Sequence, residues 1–157
     1  MSLLVTTPAL AVQNAVVVVY HALDVVQRPV ARAGVTVGVT PWDECCAGQL
    51  YGRIDRTYRT DRFPYEGAVT QQCVKPTAAT IIVGLVRCYP TLDETGAPPR
   101  SSDETEAALL LYEDALLVWQ TLQTEEWWPE SVLVNAQTFL SLGGCAAVET
   151  TVYVEFI

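Results

Sequence analysis

Residues 50, 52, 54, 56 and 58 read Leu, Gly, Ile, Arg, Tyr, while 51, 53, 55, 57 and 59 read Tyr, Arg, Asp, Thr, Arg. A period of two predicts a long strand with one mainly apolar and one mainly charged face. Arg56 then falls opposite Arg53, Asp55 and Arg59, and Arg62 stands at the strand end. Residues 78–89 are apolar on both faces, which predicts a central strand. The two are expected to pair as an extended hairpin. The residues between them, 61–76, are too many and too polar for a tight turn. This loop is expected to be mobile in an isolated subunit and ordered by a partner.

The remaining elements follow from helical spacing and from cap and breaker residues. Thr7-Pro8 predicts a helix start, the hydroxyl capping and the proline taking the first helical position. Gln13, Asn14, His21, Asp24 and Arg28 form its polar side, and Leu10, Val16, Val19, Tyr20 and Leu23 its buried side. It is expected to run to about Gln27, ahead of Pro29. Alternating valines over 34–40 predict a short edge strand stopped by Pro41.

Ser101-Ser-Asp-Glu104 has the form of a capping box and predicts a second helix. Its expected apolar stripe includes Leu111, Tyr112, Ala115, Val118, Trp119 and Leu122, with Glu113 and Asp114 outward. Strands are predicted over 132–140 and 145–157, joined across Gly143-Gly144, with Val148, Val152, Val154 and Phe156 inward. The order predicts an α+β fold: a mixed or antiparallel sheet with a long hairpin and two helices packed on it. One domain spans 1–157, without repeats or linkers.

Composition narrows the classes of function. Of 157 residues, 50% are hydrophobic and 17% charged, which excludes extensive disorder. A net charge of −9 argues against binding nucleic acid through phosphate neutralisation. The charge is uneven, at −1 over residues 1–46, +3 over 47–90 and −11 over 91–157. An acidic end and a basic middle suit contacts between neighbouring copies. No basic export signal precedes the first helix, and no stretch of about 18 uninterrupted apolar residues occurs. These features predict a soluble protein with no membrane partner. Five cysteines, with Cys45 and Cys46 adjacent, form a poor disulfide framework and predict free thiols in a reducing compartment.

Candidate chemistry is sparse. Cysteine spacing does not match a zinc site, and buried structural thiols are the stronger reading. A cysteine nucleophile would need a base, and His21, the one histidine, lies on a polar helix face. The acid pairs Asp103-Glu104 and Glu125-Glu126 fit helix capping better than metal binding or acid–base catalysis. No phosphate-binding glycine motif is present. The expectation is no enzyme, no catalytic residue, no cofactor and no metal. Arg53, Asp55, Arg56, Arg59, Arg62 and Phe63, with Trp127 and Trp128 near the end of the second helix, have the composition of a subunit interface. That interface is the reading favoured for the arginines, and a paired surface ladder is the alternative.

The run Trp42-Asp43-Glu44-Cys45-Cys46-Ala47-Gly48-Gln49-Leu50, then Phe63-Pro64, Gly84-x-x-Arg87-Cys88-Tyr89-Pro90-Thr91 and Gly143-Gly144-Cys145, resembles the small head-to-tail connector or tail-completion proteins of long-tailed actinobacterial phages. The element order is similar to that of the tail terminators of such phages. The strand at 132–140 departs from that pattern. The resemblance implies a structural virion protein, assembled in the host cytoplasm and located at the head–tail junction. It implies a homo-oligomeric ring, expected to be a hexamer, contacting a neck or connector protein and the major tail tube protein. DNA would pass its channel without specific binding. An adaptor or stopper ring is the alternative, and a small Cys or carboxylate enzyme or a monomeric binding module are the rivals.

Overall fold

The computed structural model describes residues 7–38, 42, 45–67, 76–124, 128 and 131–156. Thr7 caps helix α1, Pro8–Val25, by accepting from Leu10 N at 3.2 Å. The helix closes where Arg28 N–H reaches Leu23 O (2.8 Å) and Gln27 adopts φ 61°. That is a Schellman closure with glutamine in the position usually given to glycine. Strand β1, Arg32–Val35, follows, then a 3-10 turn, Cys45–Ala47, and β2, Gln49–Tyr58. Next come β3, Ala78–Cys88, helix α2, Ser101–Thr124, and the hairpin of β4, Val132–Leu142, with β5, Cys145–Glu155.

The fold is α+β: two helices pack on a five-stranded mixed sheet of order β1-β2-β3-β5-β4. β1 pairs with β2 in parallel and every other pair is antiparallel. The predicted long hairpin is the β2–β3 pair, and β3 is the central strand. α1 lies over β1, β2 and β3, while α2 lies over β5 and β4. The edge strand begins two residues earlier than its valine pattern suggests, and residues 39–41 lie outside the described set. β4 reaches Leu142, because the turn to β5 needs only Gly143 and Gly144 and Gly143 takes φ 58°.

The core lies between the helices and the inner face of the sheet. Val12, Val19 and Leu23 of α1, Leu122 of α2, and Ile81, Val148 and Val152 are nearly inaccessible, each contributing about 1.5–3 kcal/mol. α1 has the length and mean hydropathy (1.3) of a membrane crossing, yet Ala11, Val12, Ala15, Val16, Val19 and Leu23 are buried in this core. Leu10, Tyr20 and Tyr112, expected inside, are exposed, since the buried arc of each helix is narrower than its apolar stripe. Trp119 is half-buried. Ser101 is not the cap of α2: Arg100 O receives the N–H groups of Asp103 and Glu104, both at 3.1 Å. Gln137 ties β4 to the helix layer, donating to Ala115 O at 2.7 Å and to Thr150 Oγ1 at 3.0 Å.

A second, smaller apolar cluster sits on the outer face of the sheet, where Tyr51, Val86 and Ala147 pack under Cys45 and Cys145. The Tyr51 ring lies across Gly84 of the neighbouring strand, and a Cβ there would fall on the ring carbons. Gly84→Ala is therefore expected to lose about 1–3 kcal/mol by overpacking, with part of it regained in a Tyr51→Ala background. Chemical denaturation of the single and double variants checks this. Additive losses would show that the two positions do not meet.

Candidate functional site

The outer face of the sheet holds the arginine strand. β2 carries a bulge at Asp55: Ile54 pairs with Ile81 and Arg56 with Thr80, leaving Asp55 unpaired. One inserted residue reverses the alternation beyond it. Arg56 therefore lies on the same face as Arg53 and Asp55, not opposite them, and Tyr58 joins them. This corrects the simple period-two assignment.

Most of these charges have partners within the chain. Arg53 donates to Asp55 Oδ1 at 2.8 Å and reaches Glu149 Oε2 at 3.5 Å. Glu149 also accepts from Tyr51 OH at 2.9 Å. Burial, then the Glu149 carboxylate, pushes the Tyr51 phenol well above its ordinary range. Arg56 lies 4.8 Å over the Tyr58 ring and bonds Glu66 at 3.1 Å, an exposed pair contributing about 0–1 kcal/mol. Tyr58 OH donates to Pro64 O at 2.7 Å, and its burial raises its pKa. Asp55, Arg56, Tyr58 and Glu66, with Ile82, Leu133 and Tyr153, line a concavity of about 580 Å³ on the outer face.

The other predicted interface residues divide. Arg62 is exposed beside a tight turn that pairs it with Tyr65, and Phe63 is half-buried ahead of the cis Pro64. Arg59 Nη1 is buried and has no hydrogen-bond partner among the described residues. Trp128 is not at the surface: it belongs to the main core and donates Nε1–H to Leu122 O at 2.5 Å. Trp127, Glu125, Glu126 and the loop centre at 68–75 lie outside the described residues.

The cysteine expectation is overturned. Cys45 bonds Cys145 and Cys46 bonds Cys88, so four of the five cysteines are in disulfides; Cys73 lies outside the described residues. The physical reason is the register of the sheet. Cys88 and Cys145 face each other across β3 and β5, and the adjacent pair arrives above them on the 3-10 turn. The first bridge is buried and the second exposed. Neither pair offers a thiolate for a Cys–His mechanism while oxidised.

Sequence reasoning also missed a buried ion triad. Asp114, expected to face solvent, is 3% exposed. It accepts from Arg28 at 3.0 and 2.6 Å and from Arg87 Nε at 3.1 Å. Arg87 further donates to the carbonyls of Arg28 and Pro29. Burial lowers the Arg87 pKa against the pull of Asp114, while the bond to Asp114 raises that of Arg28. The triad ties the exit of α1 to α2 and to the central strand. No sequence signal points to it, because Arg28 and Asp114 are 86 residues apart.

Among the described residues no group of three or more His, Cys, Asp or Glu side chains is placed to hold a metal ion. Compared with known families and with curated proteins, the chain matches no family model and no curated protein.

Proposed function

We propose that this chain is a structural, ring-forming protein of a phage head–tail junction, of the tail-terminator kind. The observation that carries the reading is one-sidedness. Both helices lie on one face of the sheet, and beyond the disulfide corner no described helix covers the other. That open face, with Arg56 and Arg62 toward one end, is the surface offered to the stacked tail tube or neck protein. Its arginines are mostly balanced within the chain, so it does not present a strongly cationic field to DNA.

An acidic α2, with four carboxylates besides the buried Asp114 and no basic residue, suits a channel that DNA must pass without being held. Disulfides are compatible with a virion protein, which meets oxidising surroundings on release although its subunits are made in the cytoplasm. The test is the mass of the oxidised chain in solution together with images of purified particles labelled on this protein. Rings in solution and label at the neck are expected. A stable monomer, or label elsewhere on the particle, would sink the reading.

A further inference from the structure

The two edges of the sheet carry complementary apolar surfaces. At one edge, α1 and β1 enclose an open groove of about 830 Å³ lined chiefly by Val12, Val16, Val17, Tyr20, Val35 and Val37. Val37 is 99% exposed. At the other edge, Leu109, Tyr112 and Leu116 form an exposed stripe on α2, and Tyr112 meets Phe139 of β4 edge-on at 5.0 Å. Leu140 and Leu142 are exposed farther along β4, on the opposite face of the sheet from Phe139.

β4 is an unusual edge. It runs for 11 residues with a bulge at Asn135 but no charged residue and no proline, so only one of the devices that ordinarily keep an edge strand from pairing is present. Isolated apolar side chains need no explanation, but a cluster such as Leu109, Tyr112, Leu116 and Phe139 marks a contact.

Charge selects the partner. Glu106 and Glu113, both exposed, flank the leucine stripe, and α2 has no basic residue. Two such edges facing each other in a two-fold pair would repel. The described residues 7–38 at the opposite edge carry Asp24 as their one acid, with Arg32 and with Arg28, which is paired to Asp114. We infer that copies of this chain bind head to tail, the α2–β4 edge of one seating on the α1–β1 groove of the next.

Geometry agrees. α2 overlies β4 and α1 overlies β1, so extending the sheet from β4 to the next copy's β1 also brings the two helix layers side by side. Such a contact is heterologous and closes into a ring when its rotation permits. The inference rests on the ring-forming reading and names the surfaces that would build the ring. The arginine strand is then left for neighbours above or below.

Two doubly substituted chains test it, each altered only at exposed side chains: Leu109→Glu with Leu116→Glu on the patch, and Val17→Glu with Val37→Glu at the groove. Each is expected to keep the wild-type circular dichroism and melting curve and to sediment as a single 17.2 kDa chain. Mixed one to one, they are expected to form a heterodimer and nothing larger, since only the intact groove of one and the intact patch of the other still fit. If the groove variant assembles like wild type while the patch variant does not, the contact is two-fold and the inference fails. If both assemble unchanged, the surfaces are wrong although the ring stands. A monomeric wild type overturns the ring and the inference together.

Discussion

Reduction of both disulfides is expected to remove about 4–8 kcal/mol of stability, at about 2–4 kcal/mol per bridge. The spans explain the size. Cys45–Cys145 closes a loop of 100 residues and Cys46–Cys88 one of 42 nested inside it, so together they restrict most of the unfolded chain. For a chain of this length a kcal/mol moves the melting temperature by about 2–4 °C, so a fall on the order of 20 °C is expected.

Exposure separates the two bridges. Cys46 and Cys88 are exposed residues and their bridge should yield to mild reductant first; Cys45–Cys145 is enclosed by Tyr51, Val86 and Ala147. Mass spectrometry after stepwise reduction and alkylation should show two labels added before the next two. Replacing Cys46 and Cys88 by serine should reproduce the first step alone. An unchanged melting curve in protein shown to be fully reduced would contradict the account.

Asp114→Ala is expected to cost about 3–5 kcal/mol, the range for removing one partner from a buried ion pair. The loss comes mainly from what remains. Arg87, with its side chain 13% exposed, would keep two backbone carbonyls but lose its carboxylate. Arg28 is about a third exposed, so water screens its share and the lower half of the range is favoured. Because the cost lies in stranded charge, Asp114→Leu combined with Arg87→Met should regain much of it. Urea unfolding of the three variants, read as midpoint shifts at constant slope, makes the comparison. A loss under about 1 kcal/mol for Asp114→Ala would mean that the triad is an exposed ladder in solution.

Both predictions turn on pairs far apart in the chain, and that distance separates the features that local residue patterns encode from those they do not. The start of α1 at Thr7-Pro8, the central position of β3, the inward valines of β5 and the hairpin at Gly143-Gly144 were all legible. Each is encoded by residues within one element, through periodicity, a cap or a turn. The common face of Arg53 and Arg56 depends instead on one bulged residue, which a period of two cannot reveal. The disulfides required β3 and β5 to set Cys88 opposite Cys145 beneath the 3-10 turn. Asp114 reads as an outward acid until α1 ends where Arg28 can reach it. In each case the deciding contact closes a long loop, and the register and helix packing that close it arise from the whole core rather than from the residues that meet.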